Sequence, residues 1–501
     1  MTAYSLQPAA SERPGNSLRS HWPEWTALSV YAALLAVAIP FHRPWADEAQ
    51  AWQLARSLSL QSLFQTYIRY EGTPGLWYLV LWILNRAHIS YTGMHWFCGV
   101  IAVSASALLI FRSPFPRYLR LTLPFTFFLL FQYAVVARGY VLVPILLYLI
   151  AICWKRSPLL LALLLGLLAN IALHAAMISA GLALVYAINS LRGKMPGANC
   201  SGRRQMQALA ILLCFYAAAL WTAWPPPDQL FKIESGPLIV ALAIRIIELC
   251  WPWATATPFW IAIALMLRAR GQSVFLLPLL LFVAFSLSIH CAFWHAGLLF
   301  PLAICVLWIT WPAPDRPGTR RESIGRIGLV AIAGLQICWS AYALDYDHCH
   351  AYSPDLATSE FLRPFVRQGA QIAVTSANDP EGQSYRSVGL LPYFDQKLFV
   401  NQTDPFWWWS THNQTEELFL KSLPAHPALI VVEVRSSRLD QPISPRDPKF
   451  ELLTNAGYRL TNMFCGATPE GFALMQRSCH LIFQSKESLL KNAPGHTPSE
   501  R

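Results

Sequence analysis

Apolar runs approaching the thickness of a bilayer recur from Trp25 to about Ala343, separated by polar connections of very unequal length. They lie near 25–41, 74–87, 94–111, 121–136, 139–154, 158–171, 174–190, 207–224, 237–267, 272–290, 296–311 and 325–343. This predicts an α-helical polytopic membrane protein of roughly 11–13 helices. The 237–267 run is broken at Pro252, and several others fall short of the roughly 20 residues a straight span needs. After Ala343 the pattern changes. Short β-type runs appear at Gln371-Ile-Ala-Val-Thr, Lys397-Leu-Phe-Val, Leu429-Ile-Val-Val-Glu-Val434 and Phe472-Ala-Leu-Met, with helical stretches from Ala357 to Val366 and from Thr415 to Leu423. Strands alternating with helices predict a small α/β domain. The expected division is a polar tail over 1–24, a membrane domain over 25–345 and an α/β domain over 346–501.

The longest early connection, 42–73, is dense with polar function. It opens Arg43-Pro-Trp-Ala-Asp-Glu-Ala-Gln-Ala-Trp52 and closes Arg69-Tyr-Glu-Gly-Thr-Pro-Gly-Leu-Trp77. Ala51, Leu54, Ala55 and Leu58 make one apolar stripe at helical spacing, so the connection holds one or two helices lying on the membrane surface. Asp47 and Glu48 then start the first helix, and Glu71 precedes the next apolar segment. Acids also favour helix starts for dipole reasons alone, so by residue type the pair reads equally as a cap and as a site. A carboxylate at the mouth of an apolar bundle is costly to keep, which makes it a functional candidate.

Composition sharpens the class. The chain is 55% hydrophobic and 13% charged, about half the charge of an ordinary globular protein. The net charge of +11 does not form a polyanion groove: Lys and Arg collect in short connections, so nucleic acid is not an expected partner. Lys155-Arg156, the Arg192 to Arg204 and Arg316 to Arg326 stretches and Arg268-Ala-Arg270 are expected in the cytoplasm, with the tail ahead of Trp25. The 42–73 connection, Val136-Ala-Arg138, the turn before His174, Trp224 to Lys232, His290 to His295 and the α/β domain then fall outside. The Arg112 to Arg120 connection also belongs inside, which leaves an odd number of runs between 73 and 136. A 74–87 run that does not fully cross restores the parity. Cys465 and Cys479 can pair if their domain faces an oxidising compartment.

The residue types suit group transfer at the outer face. Arg138, Arg69 and Lys232 are candidate cations for a phosphate, with Arg the better fork. Glu71, Asp228 and His295 are candidate substrate or metal groups, and Asp47 with Glu71 could hold a divalent cation such as Mg2+ or Mn2+ through oxygen ligands. His174 and His290 lie at helix ends and read more readily as structural. Trp407-Trp-Trp409, with Asp404 and His412, reads as a membrane-interface anchor before a sugar platform. Asp345-Tyr-Asp-His348 reads as the hydrated exit of the last helix.

Asp-Glu-Ala-x-x-Trp-x-x-Ala-Arg at 47–56, Glu-Gly-x-Pro-x-Leu-Trp-Tyr at 71–78 and Ala137-Arg-Gly-Tyr140 resemble motifs of the bacterial GT-C membrane glycosyltransferases, the protein mannosyltransferase and aminoarabinose transferase group. Pro225-Pro-Pro-Asp228 and His295-Ala-Gly-Leu-Leu-Phe300 are similar to patterns of an uncharacterised branch. The resemblance implies a GT-C-like bundle, a polyprenyl-phosphate sugar as donor, a lipid, glycan or protein as acceptor, inverting transfer, and a bacterial plasma-membrane location. It implies that Asp47 is the general base, with Glu48 beside it. The chain departs from the pattern at 73 and 75, where similar proteins carry His and Pro and this one has Thr73 and Gly75. Two other classes compete. A transporter or flippase usually shows half-repeats and mid-membrane charges, which are not evident here. A GT-C-like assembly protein that has lost its chemistry would keep the fold alone.

Overall fold

A computed structural model describes residues 21–193, 202–230, 257–312, 319–377, 387–410, 415–436, 448–469 and 475–486. The protein is a helical membrane bundle with an α/β domain on one end. Among the described residues six helices are long and apolar enough to cross a membrane. The first five helices build the site: α1 (Trp22–Phe41), α2 (Ala46–Ser57), α3 (Leu60–Gln65), α4 (Leu76–Arg86) and α5 (Tyr91–Arg112). The 237–256 part of the long broken run and Lys232 lie outside the described residues.

Two contacts define the ends of the bundle. At one end Glu24, in the first turn of α1, is fully buried and takes Arg117 Nε at 2.9 Å and Arg120 at 3.2 Å. The Arg112–Arg120 connection therefore sits beside the start of α1. Phe115 also meets Trp311 there, with ring centroids 4.9 Å apart, and Arg270 pairs with Glu322 at 2.6 Å in the same basic region. The opposite end carries α2, α3 and α4. The 11 residues of α4 extend about 16 Å, half of a bilayer core. Both α4 termini stay at this end: Leu76 N donates to Asn170 O, and Arg86 donates to Leu58 O. The helix thus lies within one side, as the parity of the runs requires.

The 121–136 run does return across the bundle, but it is not the helix its hydropathy suggests. A 3-10 turn (Leu123–Phe125), an extended Thr126 and a π turn (Phe128–Gln132) replace it, and almost every residue from Leu123 to Ala137 is buried. Irregular backbone at membrane depth survives only inside protein. Side chains satisfy its freed carbonyls: Tyr31 Oη donates to Leu129 O at 2.8 Å, and Ser340 Oγ to Phe125 O at 2.8 Å. The run is apolar because it is core.

The final membrane helix runs from Arg320 to Cys349, past the expected exit at 345, and leads into the α/β domain. There β1 (Ile372–Ala377), β2 (Leu429–Ser436), β3 (Tyr458–Pro469) and β4 (Met475–Ser485) form one sheet ordered β1-β2-β4-β3. The first two strands are parallel and the others antiparallel. Alternate residues of β1 and β2 point to opposite faces, each covered: Ile372, Val374, Leu429 and Val431 on one side, Ala373, Ile430 and Val432 on the other. The 397–400 run is no strand, although Val400 N reaches Ile372 O. Instead β3 and β4 make a long hairpin closed by a Cys465–Cys479 disulfide. The first of these faces packs toward Ala46 and Leu230, so the domain sits on the α2 end of the bundle.

Candidate functional site

The turn between α1 and α2 places Asp47 and Glu48 in the first turn of α2, where backbone N–H groups await acceptors. The neighbours diverge because a helix turns about 100° per residue. Glu48 points inward and is sealed, while Asp47 remains partly open.

Glu48 is wholly buried and accepts from four donors. Its Oε1 takes His95 Nε2 at 3.1 Å and Ala137 N at 2.7 Å; its Oε2 takes Trp45 N at 3.0 Å and His42 Nε2 at 3.3 Å. His42 Nδ1 in turn meets Asp347 Oδ2 at 2.9 Å. Desolvation pushes the Glu48 carboxyl up, but the His42 and His95 rings outweigh it and hold it well below the usual range. Desolvation likewise works against charge on His42, while Asp347 and Glu48 raise its pKa far above the ordinary imidazole value. Asp347 is thus buried in a side-chain chain, where hydropathy suggested a hydrated helix exit.

Asp47 Oδ2 pairs with Arg138 at 2.9 Å, with 13% and 18% of the two side chains exposed. The guanidinium lies 5.0 Å from the Trp294 ring, 5.1 Å from Tyr140 and 5.8 Å from Trp45, so three aromatic faces hold it. Glu71 closes the other side. Its oxygens accept from Gln50 Nε2 at 3.1 Å and Tyr78 Oη at 3.3 Å. Desolvation pushes its carboxyl up to about 7; the two hydrogen bonds oppose this, and the Asp47 charge adds to it. Gly72 follows in the left-handed region at φ 59°, ending the 3-10 turn that carries Glu71.

His295 stacks on His174 with centroids 4.2 Å apart, and its Nδ1 accepts from Ala292 N. His174 bonds His290 O at 2.8 Å, and His295 stands edge-on to Tyr140 at 5.8 Å. These helix-end histidines are therefore gathered behind Arg138. Other expected site residues are engaged elsewhere. Arg69 donates to Trp224 O and covers Trp221. Asp228 accepts from Tyr70 and Ser410, both at 2.8 Å, and so ties the 224–230 loop to the α/β domain. The tryptophan cluster is a fastener: Trp407 O accepts from Gln50, Trp409 O from Leu230 N, and Trp408 meets Tyr67 edge-on. His412 lies outside the described residues. Asp47 and Glu71 neighbour each other, but no set of three His, Cys, Asp or Glu side chains suited to a metal gathers among the described residues.

The two departures from the motif have structural counterparts. A Cβ at Gly75 would lie 2.5 Å from the Phe64 ring, so here an aromatic side chain occupies the space. The Thr73 hydroxyl donates weakly to Ile171 O at 3.5 Å. His42, His95 and Gln50 were not singled out by sequence, Tyr78 and Tyr140 entered only as motif positions, and Asp347 only as part of the expected helix exit.

No family description and no curated protein sequence matches the chain. Among solved structures it is similar to the crystal structure of ArnT from Cupriavidus metallidurans bound to undecaprenyl phosphate. The identity is 12%, the TM-score 0.47, and the match covers 91% of this chain and 97% of that one.

Proposed function

We propose that the protein is an inverting GT-C-type glycosyltransferase that moves a sugar from a polyprenyl-phosphate donor to a hydroxyl or amine on a lipid, glycan or protein. The observation that carries this reading is the part-exposed Asp47–Arg138 pair at the bundle end, flanked by Glu71. A carboxylate and a guanidinium are the two groups the chemistry needs: one to take a proton, the other to hold a phosphate. Before substrate arrives they neutralise each other. A donor phosphate competes for Arg138 and releases Asp47 toward the acceptor. The acceptor oxygen or nitrogen then attacks the anomeric carbon, its proton passes to Asp47, and the C1–O bond breaks with its electron pair leaving on the lipid phosphate. Tyr140 and the aromatic faces keep Arg138 aimed, and Glu48 holds the turn from within. A divalent cation would add charge beside Asp47 and Glu71.

We place the protein in a bacterial plasma membrane with the site on the extracytoplasmic side. Two observations support that orientation: the disulfide belongs to the domain at the site end, and the basic connections cluster at the other. The test is sugar release from radiolabelled polyprenyl-phosphate hexose by the purified protein, with and without EDTA. Asp47→Asn should lose about 10²- to 10⁴-fold in turnover, the range for a positioned acid or base. Undiminished turnover in that variant would remove Asp47 as the base. A folded wild type inert toward several lipid-sugars would overturn the transferase reading.

A further inference from the structure

The proposed chemistry uses Asp47 and Arg138 and leaves a buried ionisable chain behind them without a task. It runs Asp347, His42, Glu48, His95, and ends on the carbonyl of Tyr91, with successive distances of 2.9, 3.3, 3.1 and 3.1 Å. All four side chains are at most 5% exposed. They come from the end of α1, the first turn of α2, the start of α5 and the last turns of the final membrane helix.

Its proton inventory follows from the geometry. Four hydrogen bonds need four protons. His42 faces a carboxylate on each ring nitrogen, and His95 faces a carbonyl and a carboxylate, so every heavy partner outside the rings is an acceptor. Those protons lie on the rings or on the carboxyls between them, and removing one member leaves a donor or a charge buried without its partner.

The chain also sets a register. Glu48 Oε1 binds the backbone N–H of Ala137, while its neighbour Asp47 binds the side chain of Arg138, the next residue along. Two consecutive residues of α2 are therefore fastened to two consecutive residues of the irregular 123–138 segment. That segment has only short 3-10 and π turns of its own, not a continuous helical ladder. The geometry points to His42 and Asp347 as positioning residues: through Glu48 they hold Asp47 opposite Arg138, and they make the last membrane helix part of the site's frame. The catalytic consequence rests on the transferase reading above, whereas the positional consequence does not.

The test compares Asp347→Asn, Asp347→Ala and His42→Gln with the full-length wild type in detergent. Arg138 reactivity toward phenylglyoxal, read by peptide mass spectrometry, reports its pairing without any activity assay, with Arg69 as the internal reference. Asp347→Asn keeps a carbonyl acceptor for His42 Nδ1. We expect Arg138 modification to rise in the order wild type, Asp347→Asn, Asp347→Ala, with Arg69 unchanged. Turnover per folded molecule should fall about 10- to 100-fold, the cost of a small misplacement, with donor KM changed much less. A thermal midpoint for Asp347→Asn close to wild type separates this from unfolding. Unchanged Arg138 reactivity in all three variants overturns the proposal, and so does unchanged turnover per folded molecule where the wild type turns over. A wild type without turnover removes the transferase reading alone, and the phenylglyoxal result still decides the positioning role.

Discussion

Adjacent acids in one helical turn receive opposite environments here. Asp47 keeps an opening and pairs with Arg138, while Glu48 is sealed among four donors. The dipeptide was visible in the sequence as a candidate site, and Arg138 as a candidate cation. The division of labour was not, because the partners that seal Glu48 arrive from positions 42, 95 and 137. A His immediately after the first apolar run, and the Asp near the end of the last one that bonds it, are the signals that could have drawn attention. Glu71 supplies a pH prediction at this scale. Desolvation raises its folded carboxyl to about 7 from an ordinary value of 4.5. The folded state therefore holds this proton where the unfolded chain has lost it, so the contribution is full below about 4.5 and disappears as pH rises through about 7. The thermal midpoint in detergent should fall across that window, and Glu71→Gln should flatten the slope. An identical slope in the variant would place the titration elsewhere.

The first helix of the 42–73 connection was legible because its apolar stripe has the helical period, but its expected place on the membrane surface was not: every residue from Glu48 to Ala55 is buried between the bundle and the α/β domain. The 121–136 run was not, since a buried irregular segment and a spanning helix share the same hydropathy. The β3–β4 hairpin escaped for the opposite reason: β3 is an edge strand with Arg459, Leu460, Thr461 and Met463 exposed, so it lacks an apolar face to reveal it. Gly75 offers a test of local packing. An added methyl meets Phe64 at 2.5 Å, so Gly75→Ala should cost about 1–3 kcal/mol through overpacking. Adding Phe64→Leu should recover most of that loss in the thermal midpoint. A Gly75→Ala variant as stable as wild type would mean that Phe64 yields freely.

Across the whole molecule, the contacts of α4 and α5 settle which turns share an end. The His88 turn belongs with Asp47, and Tyr118 belongs with Glu24. In sealed membrane vesicles of one orientation, an impermeant thiol reagent should label His88→Cys and Tyr118→Cys from opposite sides. Labelling of both from the same side would contradict the half-length α4. The sequence by itself determined a membrane bundle, a polar connection rich in acids at one mouth, and a separate α/β domain. Those properties follow from local hydropathy, residue period and the order of segments. Only the tertiary structure decided which acid is open and which is locked, that His174, His290 and His295 gather behind Arg138, that Arg69 braces Trp221 and Trp224, and that Asp228 serves the domain junction. Each of these depends on side chains from segments far apart in the chain, such as His42 and Asp347, separated by 305 positions. A contact of that kind exists only once the helices have packed, and no local pattern encodes it.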